Sequence, residues 1–420
     1  MKKLYLSVLG MYIMILQSFS QGTPRDSSEF MPVPLHVDEV NLVTGYYKQD
    51  GNHSPVTGGI GTERVTDIAN GIEIKFVAWG PNRLKYTLST EFNIDHHSAA
   101  SSAYVSKTGA SRIGGTRIYP SVNWSVENEA KGRSFGLGAY YSSEYNYHSL
   151  GLNTQFSQKT KSNGEFEAKL SGYFDRVKMI YPSELIPGVS TSDDNGTVTY
   201  TTASGRTVVL GRGGNREDET TIPSKPRNTF TGSFSFSQVI NSRLQAAVML
   251  DLVGQSGYLG LPFHRVYFNN DSVQVEHLPS SRFKLPIGFR LNYFAGDRVI
   301  LRSYYRFYTD NWGVMAHTAS LEMPVKITPF FSVSPFYRYY KQTAAKYFAP
   351  YKEHSIQDDY YTSNYALSAF TSQFFGAGIR LAPPNGLLWK HLNALELRAG
   401  HYAQTTGLVA NEVTLHLKFK

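Results

Sequence analysis

Short segments in which apolar and polar residues alternate recur along most of this chain. The clearest are 83–95, 283–294 and 411–420. In the first segment, Leu84 and Phe92 belong to an apolar set on one parity, and polar residues occupy the other. A period of two indicates strands with one apolar face, and about ten residues suffice for a tilted strand to cross a bilayer. The pattern therefore predicts an all-β chain whose strands span a membrane.

The number and spacing of these segments predict a closed barrel. We count about sixteen, and fourteen is the alternative because the segments near Gly313 and Asn364 are the least regular. Connections after even-numbered segments are short, whereas those after odd-numbered segments are often long. The long connections lie near 49–70, 96–119, 178–227, 257–282 and 344–363. Barrels of Gram-negative outer membranes have short periplasmic turns and long extracellular loops. We therefore predict an antiparallel transmembrane β-barrel over 40–420, with both termini in the periplasm.

The first residues predict export. Residues 1–20 combine Lys2 and Lys3 with a short apolar run and a small-residue cleavage site, as in a secretory signal peptide. Residues 21–39 are expected to form a periplasmic N-terminal tail. The chain contains no cysteine, which excludes disulfides, thiolate metal sites and c-type haem attachment. The net charge of +8 comes without a basic cluster, so we expect no nucleic-acid partner.

The predicted location, the cell outer membrane, also predicts what the chain contacts. Outer-membrane lipid is expected against the apolar strand faces. The last segment carries Phe419 just before its end, and it resembles the C-terminal strand that outer-membrane proteins present to the barrel-insertion machinery. A periplasmic or surface protein partner is left open.

Several stretches resemble an uncharacterised family, domain of unknown function 3570. They include DHHSAASS (95–102), GYLGLPFHRVYF (257–268), RSYYRFYTDNWG (302–313) and PFYRYYKQTAAKYFAP (335–350). The resemblance covers nearly the whole mature chain, in a fixed order of motifs. It implies an outer-membrane protein of the kind found mainly in Bacteroidota, and it implies no activity. Nearly all of these stretches lie in or beside the connections that we place outside the cell.

A group of Asp, His and Ser residues stands at the outer end of the third segment. Strand parity predicts that Asp95 and His97 face inward and that His96 faces outward. Asp95 and His97 are therefore candidate ligands for a divalent metal at the outer rim. The alternative is that rim Asp and His residues only satisfy one another and hold loops closed. We assign no catalytic residues and predict no cofactor, because triads are formed by tertiary geometry rather than by neighbours in sequence.

Charged residues on the polar parity are expected to line the lumen. We predict the following lumen-lining residues: Glu91, Asp95, Lys284, Arg290, Arg302, Arg306, Arg338 and Arg398. One interpretation is a channel or solute-uptake barrel with a charged lumen and a mouth constricted by loops. The alternative is a non-conducting barrel that houses an exported protein complex for assembly or electron transfer. A hydrolase at the outer rim is the second alternative.

Overall fold

The computed structural model describes residues 32–80, 83–98, 115–185, 198–201, 207–210, 223–387 and 390–420. Most of them form strands, and the connections contain a few short 3-10 turns. None of the helices within these ranges is long and apolar enough to cross a bilayer. The first half of the chain forms β1 Val33–Asp50, β2 Val65–Trp79, β3 Leu84–His97, β4 Gly115–Asn128, β5 Arg133–Ser143, β6 Tyr147–Lys159, β7 Gly164–Lys178, β8 Val198–Thr201, β9 Thr207–Leu210, β10 Ser224–Asn241 and β11 Leu244–Gly257. The second half forms β12 Arg265–Tyr267, β13 Val273–Val275, β14 Ser281–Ala295, β15 Val299–Asp310, β16 Met315–Glu322, β17 Val325–Lys326, β18 Phe331–Gln342, β19 Phe370–Leu381, β20 Leu392–Gln404 and β21 Val409–Phe419.

Seventeen of these strands form one closed sheet. Every neighbouring pair is antiparallel, and β21 pairs with β1 to close the ring, with Val40 opposite Phe419. The short β16 and β17 share one position between β15 and β18, so the wall has sixteen positions. The predicted barrel is confirmed, with sixteen strands rather than fourteen. The two remaining pairs, β8 with β9 and β12 with β13, are hairpins within long connections.

The long and short connections lie at opposite ends, which we call the long-loop end and the short-turn end. Both β1 and β21 have their terminal ends at the short-turn end, as expected for an even number of strands. The strands extend further than the sequence pattern predicted. Residues 33–39, which we placed in the N-terminal tail, belong to β1, where Glu39 pairs with Lys75 of β2. The same extension shortens the connection predicted at 49–70 to 51–64.

The two faces of the wall differ in polarity. Large apolar side chains such as Phe92, Leu170, Phe230 and Ile287 are 41–56% exposed on one parity. A closed wall with a continuous apolar exterior is the transmembrane architecture of outer membranes, because every backbone group is paired within the ring and the apolar side chains meet lipid. Charged and amide side chains occupy the other parity, on the inner face.

The buried apolar residues are concentrated at two places away from the middle of the wall. At the short-turn end, Val40, Leu392 and Phe419 pack together where the ring closes. At the long-loop end, Phe263, Val266 and Phe268 are at most 1% exposed. The connections at that end therefore fold into a packed structure of their own.

Candidate functional site

The predicted rim residues Asp95 and His97 bind different partners. Asp95 accepts a hydrogen bond from the Tyr119 hydroxyl at 2.7 Å. His97 Nε2 lies 3.3 Å from a Glu144 carboxylate oxygen in the β5–β6 connection. His96 contacts Thr116 instead, through Nδ1 and Oγ1 at 3.0 Å. The two adjacent histidines therefore act separately, because successive residues of a strand point to opposite faces.

No metal centre forms at this rim within the described residues. Across those ranges, no three His, Cys, Asp or Glu side chains are placed to hold an ion. Ser98 Oγ accepts a hydrogen bond from the Thr66 backbone N–H at 2.9 Å, so the adjacent serine is tied to β2. Residues 99–114 of the neighbouring loop, which include Ser101 and Ser102, lie outside the described residues. The metal site at the rim therefore stays a prediction, and the described residues supply no set of ligands for it.

The eight side chains predicted to line the lumen all alternate with the outward apolar residues. Arg398 of β20 reaches Glu322 of β16 at 3.4 Å, with β18 and β19 in between. Such a contact crosses the concave side of the wall. Arg302 contacts the same carboxylate at 3.6 Å, and Glu91 accepts a hydrogen bond from Ser121 at 3.1 Å. Lys284 lies opposite Asp310 in the strand register.

Three of the arginines predicted to line the lumen have no ion pair among the described residues. They are Arg290, Arg306 and Arg338. Arg290 and Arg338 are nevertheless exposed, and the side chain of the paired Arg302 is 51% exposed. An unpaired guanidinium in a dry interior would cost several kcal/mol. The exposure of Arg290 and Arg338 avoids this cost.

Loops from opposite sides of the ring meet across the mouth. The β1–β2 connection (51–64), the β11–β14 connection (258–280) and the β18–β19 connection (343–369) form what we call the cap, together with residues 183–185. The first two connections are half a ring apart in the strand order. Arg265 nevertheless donates a hydrogen bond from Nη1 to the Val56 carbonyl at 2.8 Å and binds Glu184 through Nε at 2.6 Å. The cap therefore crosses the barrel mouth.

Two glycines allow the cap segments to approach one another. Gly58 has a φ of 78°, and a Cβ there would lie 2.5 Å from the ring of Tyr267. Gly59 has a φ of 83°, and its Cβ would lie 2.7 Å from the Ser363 carbonyl oxygen. Both positions need a left-handed backbone and empty space, which only glycine supplies without strain.

The interior of the cap contains a buried carboxylate with several partners. Glu276 lies 3.3 Å from His264 Nδ1 and accepts hydrogen bonds from the Leu261 N–H at 3.0 Å and from the Thr362 hydroxyl. Burial by itself raises the pKa of Glu276, but attraction to His264 and these hydrogen bonds outweigh it, so the pKa lies below its usual value. His354 continues the polar network, because its Nε2 contacts the Thr362 carbonyl at 3.0 Å and its Nδ1 contacts Asp358 at 3.2 Å.

A cavity lies on each side of the line along which the cap crosses. The first, of about 570 Å³, lies between the cap residues Glu63 and Tyr365 and the wall at Arg338, Tyr47 and Tyr402. The second, of about 440 Å³, is lined by β4–β7 and β10. Its lining combines arginine and lysine with tyrosine, serine, threonine and asparagine. Both volumes are in the range of small-molecule sites.

The sequence matches one protein-family model over residues 88–410, and that family is described as protein of unknown function (DUF3570). The chain belongs to this family. The resemblance inferred from the loop motifs is therefore confirmed, whereas a Bacteroidota source stays a prediction. A comparison with curated proteins gave no match.

Solved structures similar to this DUF3570 protein include outer-membrane proteins. Pseudomonas aeruginosa OccK1 (OpdK) is 8% identical, with 91% of this chain and 97% of that chain covered and a TM-score of 0.40. A mutant of the monoaromatic hydrocarbon channel TodX is 9% identical, with coverage of 91% and 89% and a TM-score of 0.41. P. aeruginosa OccK7 (OpdD) is 8% identical, with coverage of 91% and 98% and a TM-score of 0.40. The DUF3570 barrel is a closed antiparallel wall with an apolar exterior. These two features give both its fold and its location in an outer membrane.

Sequence reasoning missed the residues that organise the cap and the second cavity. Arg117 and Arg227 line that cavity, and Arg265 and Glu276 hold the cap. One signal for Arg265 was available, since a single cation stands among apolar residues in LPFHRVYF (261–268). A cation in such a run indicates a buried partner, but the partner lies in another loop. This part of the DUF3570 protein could be found only by knowing which loops meet.

Proposed function

We propose that this DUF3570 protein is an outer-membrane solute channel that favours anions and whose mouth is constricted by the cap. The observation that carries the proposal is the exposure of Arg290, Arg302 and Arg338 on the inner face of the wall. Water-accessible cations inside a sixteen-strand barrel are expected of a hydrated path and are unfavourable in a filled one. The path leads past the cap rather than through it.

The inner charges also support a preference for anions. Glu322 lies between Arg302 and Arg398, and Glu396 lies 3.5 Å from Arg398. The unpaired Arg290, Arg306 and Arg338 lie on the same part of the wall, β14 to β18. Their excess positive charge lowers the energy of an anion inside the barrel. Outer-membrane lipid covers the other face of the same strands.

Bilayer recordings test this function. Purified protein in planar bilayers under a KCl gradient should give discrete conductance steps and a reversal potential with the sign of an anion-selective pore. Replacing Arg290, Arg306 and Arg338 together by Gln should reduce or abolish the selectivity. The matched control removes three exposed cations from the short turns, Lys131→Gln, Lys161→Gln and Arg243→Gln, and should leave it unchanged. Silence from folded protein would overturn the proposal, and conduction without anion preference would overturn its selectivity.

The cap also supports a second candidate function, a non-conducting barrel. Loops that interlock across the mouth are also what a non-conducting barrel would need if it housed or docked an exported protein. That reading requires folded protein to be silent in bilayers and to co-purify with a defined periplasmic or surface partner after crosslinking in cells. Conductance with the cap intact would exclude it.

A further inference from the structure

The second cavity has an uneven balance of charge. Its lining includes three cations, Arg117, Lys169 and Arg227, and one anion, Asp175. Arg227 Nε pairs with Asp175 at 2.8 Å. Arg117 and Lys169 have no ion pair among the described residues. The cavity therefore retains positive charge that the wall does not neutralise.

Arg117 is held in place by neutral groups. Its Nε donates to Ser142 Oγ at 3.0 Å and its Nη2 donates to the Tyr140 hydroxyl at 2.8 Å. The guanidinium also lies 4.6 Å from the ring centroid of Tyr119. Arginine has five N–H donors in a fixed plane, so these contacts orient the group and leave donors for a ligand. Its cross-strand neighbour Asp95 is occupied by the Tyr119 hydroxyl.

Aromatic rings and small polar groups form the rest of the lining. The guanidinium carbons of Arg117 and Arg227 lie 6.0 and 5.9 Å from the Tyr147 ring centroid. The rings of Tyr140 and Tyr173 meet edge to face at 6.1 Å. The polar lining residues are Ser121, Asn123, Ser149, Asn153 and Thr229. Hydroxyl and amide groups beside aromatic faces suit a ligand that has both hydroxyls and a flat apolar face, as a sugar ring does.

We infer that this cavity is a binding site for a hydroxylated carboxylate of the sugar-acid type, with the carboxylate on Arg117 and the ring against the tyrosines. The inference rests on the proposed channel and names a class of solute for it. A guanidinium with free coplanar donors matches the two oxygens of a carboxylate. The amides and hydroxyls would bind the hydroxyl groups of the same molecule. The volume of about 440 Å³ accommodates a single sugar acid.

Equilibrium binding to detergent-solubilised protein tests the site without requiring conduction. D-glucuronate should bind more tightly than D-glucose, which lacks the carboxylate, and more tightly than benzoate, which lacks the hydroxyls. Arg117→Gln should weaken glucuronate binding at least tenfold, and Arg117→Lys should retain part of the affinity. Arg380→Gln, which removes a cation from β19 outside the cavity, should leave binding unchanged. Circular dichroism and heat-dependent gel mobility establish that each variant is folded.

The outcomes separate this site from the channel. Equal binding of glucuronate and glucose, or no effect of Arg117→Gln, would overturn the carboxylate site. Equal binding of benzoate and glucuronate would overturn the requirement for hydroxyls. Glucuronate binding by a protein that is silent in bilayers would support the site and reject the channel. Conductance without any glucuronate binding would support the channel and reject the site.

Discussion

At the scale of single residues, the charges with the most specific environments lie in the cap. The side chain of Arg265 is only 4% exposed, and its charge is balanced by the Glu184 carboxylate and the Val56 carbonyl. Glu276 is equally buried and has three polar neighbours. A buried ion pair adds little net stability compared with apolar residues, but removing one partner is costly because the other charge stays buried. These residues therefore determine the geometry in which the loops dock, and they contribute less to the stability of the docked state.

Glu276 makes the cap sensitive to acid. A carboxyl whose pKa is lower in the closed cap than in the opened loops stabilises closure above its usual pKa of 4.5. That contribution is lost as the pH falls through the lower value of the closed state. Spin labels at Ile60→Cys and Asn270→Cys, in a chain without native cysteine, should give a narrow distance distribution at neutral pH that broadens below pH 4.5.

Two substitutions distinguish Glu276 from general acid effects. Glu276→Gln should broaden the distribution at neutral pH, at a cost of about 1–3 kcal/mol from the lost charged hydrogen bonds, and should remove the pH step. Glu353→Gln changes an exposed carboxylate of the same cap and should retain the step. An unchanged pH step in Glu276→Gln would show that another group is responsible.

At the scale of elements, the strands follow local rules and the long connections do not. Strand positions follow from a period of two, which each segment carries in its own residues. The segment predicted near Gly313 is the short β16, separated from β17 by Met323 and Pro324, because proline cannot donate to the ladder. The segment predicted near Asn364 begins instead at Phe370, because Tyr365–Leu367 form a 3-10 turn whose N-terminus is capped by Asn364. The irregular patterns thus marked interruptions rather than missing strands.

The contact between cap segments can be broken at a single glycine. Gly58→Val would place a side chain against Tyr267 in a left-handed backbone conformation, so the 51–64 segment should leave the cap. Trypsin should then cleave after Arg265, which is protected by burial in the native protein. Gly407→Val is the matched control, since its φ of 90° brings the same strain but its Cβ meets nothing closer than 4.0 Å. Equal cleavage in both variants would contradict the proposed packing.

At the scale of the whole molecule, the ring is closed by its first and last strands. Val40 and Phe419 are directly opposite in register, and Leu392 packs against both. This cluster is one of the few buried apolar groups in a wall whose apolar side chains otherwise face outward. Closure at the short-turn end therefore depends on side chains from both termini of the barrel.

Phe419 is expected to act in stability and also in assembly. Phe419→Ala and Leu392→Ala should each lower the free energy of unfolding by about 2–5 kcal/mol, measured by urea titration of protein refolded into lipid. Val413→Ala, on the same strand but 41% exposed, should have a smaller effect. If the last strand is recognised by the insertion machinery, only Phe419→Ala should also reduce the amount of barrel assembled in cells. Equal assembly of the Phe419 and Leu392 variants would argue against that recognition.

The sequence alone determined that the chain forms a barrel and which family it belongs to. It also gave the number of strands as sixteen or fourteen, and it separated the long-loop end from the short-turn end. These properties depend on side-chain alternation and loop length, which are local along the chain. It also predicts which charged residues line the lumen, since a strand of known parity has only two faces. It did not reveal the ion pair of Glu322 with Arg398, because two strands lie between them and only the curvature of the closed wall brings them together.

Only the tertiary structure decided which loops meet and what they enclose. Val56 and Arg265 are 209 residues apart, and their contact exists because the ring places their hairpins on opposite sides of one mouth. His97 likewise meets Glu144 rather than Asp95 or Ser98, since closure brings a neighbouring turn to the same rim. Loop sequences lack a period that fixes the direction of each side chain. The contacts that loops make therefore depend on the distances across the barrel. The cap and the cavities on either side of it are consequences of closure.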